Sequence, residues 1–310
     1  MVELLARLGD DAFWAARYLE RVENLARLLQ VNDTAGQEAM GPAAWSRIVE
    51  INGDIAAFGR HGEATRQSVC DYYLFDAANP SSVVTALSRA RGSLRAMRHL
   101  ISTELWRQVN VFANTVRADG PERFASDGLS AYCDWLKFNC QAVFGIVDGT
   151  VFREEAYLFY MLGRYIELAD QTSRLLDATL RGLELTDLPA AGAGAHWQSA
   201  LRSAGGYHAF KRYETNRLNR TDVANFLLRS KRFPRSIASA LDGIDDQFDM
   251  LRREFHLRPD VEAMERLDAL RALVAQTDVD SPAFRTGLDS IQGGLIALTA
   301  RIGRSYFNHE

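Results

Sequence analysis

The hydrophobic residues between positions 13 and 30 recur with the spacing of an amphipathic α-helix. Six of them share one side: Trp14, Tyr18, Val22, Leu25, Ala26 and Leu29. Because an α-helix turns about 100° per residue, a polar stripe forms on the other side: Arg17, Glu20, Glu23, Asn24 and Arg27. Phe13 and Leu28 lie within this stripe. Large apolar groups among charges predict that another element partly covers it.

The same pattern returns in the second half of the chain. Arg-Tyr-Leu-Glu at 17–20 recurs 147 positions later as Arg-Tyr-Ile-Glu at 164–167. The second stripe has the same chemistry: Arg164, Glu167, Asp170, Gln171 and Arg174, with Leu175 in the place of Leu28. A self-match at a fixed separation is typical of an internal duplication. The shared charges leave three interpretations open: a buried structural ion network, a binding site for a ligand or partner, or solvated surface charge.

A further set of matches follows at a shift of 154 positions. The matching pairs are Val69 and Val223, Tyr72 and Phe226, Leu74 and Leu228, Pro80 and Pro234, Ser82 and Ser236, Val83 and Ile237, and Leu87 and Leu241. An Ala/Gly-rich linker at 186–195 accounts for the larger shift. The duplication therefore extends over most of the chain.

These patterns predict an all-α fold, a duplicated helical bundle of about ten helices. We expect one domain over residues 1–310, built from repeat 1 (about 1–148) and repeat 2 (about 149–310), two pseudo-twofold-related halves of about five helices each. The stripe helices, at 10–32 and 152–180, should face each other near the axis. Their arginines and glutamates would then meet in one central polar cluster.

Helix boundaries follow from capping and breaking residues. Gly41-Pro42 predicts the start of a second helix. Asn79 is the expected N-cap of another, with Pro80 at its first position. Pro121 predicts a further helix start, and Gly205-Gly206 a kink within a helix at 196–213. The last two helices are expected at 260–276 and 282–306.

Composition narrows the class of protein. The chain has 310 residues, 47% hydrophobic and 25% charged, which suits a globular protein with a large core. A net charge of −4 argues against general nucleic-acid binding. The sequence has no apolar run long enough for a membrane span and no signal-peptide pattern. Three cysteines without CxxC spacing indicate free thiols in a reducing cytoplasm.

The sequence motifs give little support for a catalytic site. A ferritin-like metal site needs Glu-x-x-His, which the sequence lacks, and its histidines are scattered. We therefore predict no metal and no cofactor. Cys133 and Cys140 lie seven apart on an apolar helix face, where core packing is the favoured interpretation. No phosphate loop, nucleophile elbow or dinucleotide-binding glycine pattern occurs in a usable setting.

A candidate anion site lies in the segment 232–236. Arg232, Arg235 and Ser236 precede a predicted helix, whose free backbone N–H groups would suit a carboxylate or phosphate. The alternative is ordinary helix capping with solvated arginines, and we favour it.

The motifs together carry a resemblance to a known family. They are Phe13-Trp14 with Arg17-Tyr18-x-Glu20-Arg21-x-Glu23-Asn24, Asn79-Pro80-Ser81-Ser82-Val83, Ser102-x-Glu104-Leu105-Trp106, Gly163-Arg164-Tyr165-Ile166-Glu167, and Phe233-Pro234-Arg235-Ser236-Ile237. The chain resembles the bacterial alpha-E domain family over nearly its whole length. Leu168 departs from the pattern, since an arginine equivalent to Arg21 is expected there.

The resemblance implies an association rather than a reaction. Such proteins are linked with circularly permuted ATP-grasp ligases, so it implies a cytoplasmic, non-catalytic accessory or scaffold protein in peptide or amino-acid amide-bond metabolism. The implied partner is an ATP-grasp-type ligase. Net charge and hydropathy separately predict that the protein binds neither nucleic acid nor a membrane. The alternative is an enzyme or carrier that holds an acidic peptide or amino-acid-like ligand in the central cluster. Glu20 or Glu167 would then act as acid or base.

Overall fold

The computed structural model describes residues 2–36, 43–186, 193–213, 217–257 and 260–309. These residues contain thirteen α-helices and no strand, which confirms the predicted all-α class. The helices are α1 Val2–Val31, α2 Ala43–Asn52, α3 Ile55–Phe58, α4 Arg66–Cys70, α5 Val83–Ala96, α6 Thr103–Thr150, α7 Glu155–Thr186, α8 Ala193–Ser203, α9 Tyr207–Tyr213, α10 Arg220–Arg229, α11 Ile237–Glu254, α12 Val261–Gln276 and α13 Phe284–Tyr306. The short helices α3, α4 and α9 raise the number above the expected ten.

Helices α1 and α7 pack side by side and carry the two charged stripes. A Cβ on Gly163 of α7 would lie 2.2 Å from the carbonyl oxygen of Phe13 on α1, so the two backbones meet without room for a side chain. The predicted facing of the stripe helices is confirmed. Helix α5 packs against α1, and α11 packs against α7.

Helix α6 is a helical hairpin rather than one rod. Gly128 breaks it with φ 78° and ψ 168°, a conformation essentially restricted to glycine. The Oγ of Ser102 lies 2.7 Å from the Oγ1 of Thr150, so the arms 103–127 and 129–150 run antiparallel. The predicted helix start at Pro121 is wrong, because that proline lies inside the first arm. In the second half, α12 and α13 also pack together after α11.

The starts of α5 and α11 share one capping geometry. Ser82 and Ser236 are the N-caps, at φ −71°, ψ 154° and φ −74°, ψ 154°. Each hydroxyl accepts a hydrogen bond from the backbone N–H three residues later. The predicted N-cap Asn79 is wrong: its amide donates to the carbonyl of Tyr72, and its side-chain oxygen accepts from the N–H of Ser81.

Other boundaries differ in smaller ways. Helix α1 begins at Val2, well before the expected start at residue 10. The expected kink at Gly205-Gly206 is a full break between α8 and α9, with Gly205 at φ 71°. The predicted helix start at Gly41-Pro42 and the middle of the Ala/Gly linker, 187–192, lie outside the described residues. None of the helices in the described ranges has the length and hydrophobicity to cross a bilayer.

Candidate functional site

The charged seam between α1 and α7 begins with two reciprocal ion pairs. Arg17 Nε donates to Glu167 Oε2 at 2.7 Å, and Arg164 Nε donates to Glu20 Oε1 at 2.7 Å. Both glutamates are fully buried. Each helix therefore supplies the arginine that neutralises the glutamate of the other. We use "seam" for these four residues and the polar groups bonded to them.

Glu167 has the denser set of donors. Arg21 Nε donates to its Oε1 at 2.7 Å, and Gln171 Nε2 donates to the same oxygen at 2.9 Å. Burial alone would raise the pKa of Glu167, but the guanidinium groups of Arg21 and Arg17 outweigh it and lower the pKa to about 2. This carboxylate is therefore charged at neutral pH.

Glu20 has fewer donors. Among the residues that the structure describes, Arg164 alone donates a hydrogen bond to Glu20, and the second cation, Arg235, lies 3.6 Å from Oε2. Burial consequently raises the pKa of Glu20, since Arg235 and Arg164 offset only part of the desolvation. Equivalent glutamates on the two helices thus differ in their proton affinity.

Glu23 is held by two arginines. Arg235 Nη1 and Arg27 Nη2 each donate to it at 2.5 Å. Burial alone would raise the pKa of Glu23, but Arg235 and Arg27 lower it to about 2. The α7 counterpart is the pair of Arg174 and Asp170, which lie 2.9 Å apart.

The sequence predicts that Arg235 belongs to a candidate anion site, but in the structure Arg235 lies in the seam. Its guanidinium also donates to the side-chain oxygen of Asn24. Ser236 caps α11, while Arg232 is exposed at the surface. The three residues of the predicted anion site therefore do not converge. The sequence signal that could have placed Arg235 here is Leu168, which leaves Glu20 without a counterpart of the arginine that Arg21 gives to Glu167.

Aromatic rings line the arginines of the seam. The guanidinium of Arg17 lies 4.9 Å from the ring centroid of Trp14, and that of Arg164 lies 4.3 Å from Phe144. Such rings shield the ion pairs from water and attract the cations themselves. The predicted site residues of α1 and α7 thus lie along one helix interface, where the glutamates are buried and several arginines are half-buried.

Comparison with known proteins identifies the family. The model of the Alpha-E family, described as a predicted alpha-helical domain with a conserved ER motif, matches residues 4–307. The chain belongs to the Alpha-E family.

The seam gives a physical account of an adjacent Glu and Arg in this Alpha-E chain. Glu-Arg occurs at 20–21, 122–123 and 265–266. Among these, Glu20 and Arg21 bond across the seam, the first to Arg164 and the second to Glu167. Neighbouring residues on one helix thus serve as acceptor and donor to the same partner helix.

Two mycobacterial proteins are similar to this Alpha-E chain. Uncharacterised proteins of Mycobacterium bovis and Mycobacterium tuberculosis are each 28% identical over 200 residues, which cover 56% of this chain and 22% of the relative. The match therefore spans about a fifth of the length of these relatives. No solved structure matches the chain.

The buried seam and the cysteines of this Alpha-E protein limit the chemistry available. A general acid or base must reach the proton it transfers, and Glu20 and Glu167 have no exposed surface. All three cysteines are free and buried, and burial raises the pKa of Cys70 to about 12. The thiol is thus held in its unreactive form. Within the described ranges, no three His, Cys, Asp or Glu side chains are grouped to hold a metal.

Proposed function

We propose that this Alpha-E protein is a non-catalytic accessory module that acts with an ATP-grasp-type ligase in peptide or amino-acid amide-bond metabolism. The observation that carries the proposal is the closure of the seam. Its two central glutamates are fully buried and bonded to arginines of the opposite helix, so they lack the exposed surface that acid–base catalysis needs. Ion pairs that cross between two long helices fix them in one register, which suits a rigid docking body.

The length of the two mycobacterial relatives supports the role of an accessory module. The matched segment occupies 22% of each mycobacterial relative, so those proteins join a related segment to much more polypeptide. A helical module that works beside other domains in one chain is able to work beside a separate partner protein in another. The resemblance to proteins linked with ATP-grasp ligases names the class of that partner.

Co-expression tests the partnership. The Alpha-E protein and an ATP-grasp ligase from the same organism are co-expressed with a tag on the ligase, then separated by size exclusion at several salt concentrations. We expect a stable complex, and no ligase or hydrolase activity in the Alpha-E protein alone. Failure of the two proteins to co-elute at low salt would count against the proposal.

The Glu20→Gln variant separates an accessory role from a catalytic one. The substitution keeps the size of the side chain and removes the carboxylate, and circular dichroism confirms that the variant is folded. We expect the ligase activity of the complex to stay unchanged, as in the surface control Glu265→Gln. A large fall in turnover with Glu20→Gln alone would instead favour the alternative, in which the cluster acts on a ligand.

A further inference from the structure

A cavity of about 190 Å³ lies beside the seam at α7. The lining residues are mainly polar and include Arg21, Ser81, Glu167, Asp170, Gln171 and Arg174. Several of them are only half-buried, so the cavity reaches the surface. Its volume holds several water molecules, or one small organic solute, since one water needs about 10–15 Å³ in the same measure.

The corresponding space beside α1, on the opposite side of the seam, is filled by a side chain. There, Arg235 reaches Glu23 and Asn24. Arg235 comes directly before Ser236, the N-cap of α11. The residue directly before Ser82, the N-cap of α5, is Ser81. A serine cannot span the distance that an arginine covers, so the groups near Asp170 and Gln171 are left without such a partner.

The charges in the cavity have both signs, and both have unused bonding capacity. Asp170 is 7% exposed, and its buried Oδ1 has no hydrogen-bond partner among the described residues. Arg21 and Arg174 donate through Nε to Glu167 and Asp170. Within the described part of the chain, the terminal nitrogens of these two arginines make no hydrogen bond. A buried acceptor without a donor is costly, so the site is built to receive one.

We propose that this cavity binds the zwitterionic head group of an α-amino acid. The α-carboxylate would lie against the terminal nitrogens of Arg21 and Arg174, whose planar forks match carboxylate geometry. The α-ammonium would donate to Asp170 Oδ1. A simple anion leaves that oxygen unsatisfied, and a simple cation meets two guanidinium groups. A molecule that carries both charges pairs with the two arginines and with Asp170 at once. This site shares Arg21 and Glu167 with the seam, but the proposal does not depend on the ligase partnership.

Calorimetry and thermal shift with the isolated protein test the proposal. The probes are L-alanine, L-glutamate and L-lysine, each compared with its Nα-acetyl and its α-amide derivative. We expect at least one free amino acid to bind with a dissociation constant of about 1 mM or tighter, and both derivatives of it to bind at least tenfold more weakly. The absence of binding for all three amino acids, or equal binding of an acetylated or amidated form, overturns the proposal.

Ser81→Arg gives the matched variant. The new arginine fills the cavity as Arg235 fills its counterpart, so we expect a folded protein that no longer binds the amino acid. Ser290→Arg, at an exposed position on α13, adds the same charge elsewhere and should keep the wild-type affinity. Asp170→Asn keeps the shape of the acceptor and should weaken binding at least tenfold. Wild-type affinity in folded Ser81→Arg would overturn the proposed location.

Discussion

At the scale of single residues, the two central glutamates show how the number of donors affects the direction in which burial shifts a carboxyl pKa. Glu20 and Glu167 are equally buried. Glu167 accepts from two arginines and an amide, whereas Glu20 accepts from one arginine. Desolvation is common to both, so the donors decide the sign. The pKa of Glu167 is lowered and that of Glu20 is raised.

Glu167→Gln should therefore destabilise the protein more than Glu20→Gln. Removing the charge of Glu167 leaves Arg17 and Arg21 buried or half-buried without their counter-ion, a loss of about 3 kcal/mol in the free energy of unfolding. Glu20→Gln should cost less, because burial raises the pKa of Glu20 and one arginine, rather than two, donates to its carboxylate. Urea unfolding at pH 7 measures both, with exposed Glu265→Gln as the unaffected control. Equal costs for the two seam variants would contradict the asymmetry.

The difference in stability between the wild type and Glu167→Gln should depend on pH. The pKa of Glu167 falls from 4.5 to about 2 on folding, so its stabilisation is complete above pH 4.5 and is lost as the pH falls toward 2. Glutamine does not titrate, so the gap in stability between the wild type and Glu167→Gln should narrow over that range. Urea midpoints measured from pH 7 to pH 2 follow the gap, and a constant difference would exclude this account.

At the scale of helices, the close crossing of α1 and α7 decides which seam residues can meet. The arginines reach across 2.7 Å bonds only because Gly163 lets the backbone of α7 approach Phe13. The glycine therefore acts through position, not through flexibility. Any side chain at position 163 would push α1 and α7 apart and so lengthen both ion pairs.

Gly163→Ala should destabilise the protein strongly, by about 1–3 kcal/mol or more, because the added methyl would meet a backbone carbonyl that cannot rotate away. Gly92→Ala is the matched control. Gly92 lies within α5, and a Cβ there meets nothing within 4 Å. Helix propensity predicts a gain of up to about 1 kcal/mol for it. Thermal unfolding distinguishes the two, and a neutral Gly163→Ala would show that α1 and α7 tolerate a wider spacing.

Periodicity predicted the helices and the pairing of the stripes, since charge and spacing agreed at Arg17, Glu20, Arg164 and Glu167. It could not predict features set by tertiary context. Pro121 is a common helix start, yet the chain turns at Gly128, whose positive φ is invisible in the sequence. Arg235 is distant in sequence and enters the seam from the loop before α11. The duplication itself stays a prediction, supported by the reciprocal ion pairs and the shared serine caps.

At the scale of the whole molecule, the two halves exchange counter-ions. Glu20 in the first half depends on Arg164 and Arg235 of the second, and Glu167 in the second depends on Arg17 and Arg21 of the first. A half on its own would expose an apolar helix face and carry charged groups without partners. We therefore expect the buried ion pairs to couple the two halves into one cooperative folding unit.

This coupling predicts that neither half folds alone. The exposed segment near Phe152, which is 78% exposed between α6 and α7, offers a cut site that interrupts no helix. The fragments 1–152 and 153–310 should each lack a cooperative thermal transition by circular dichroism, because α1 and α7 would lose the interface that buries their stripes. Mixing the fragments from denaturant should restore the transition and a one-to-one complex, since the missing counter-ions are then supplied in trans. A cooperative transition in the isolated fragment 1–152 would mean that its apolar packing, without the seam, is sufficient for folding.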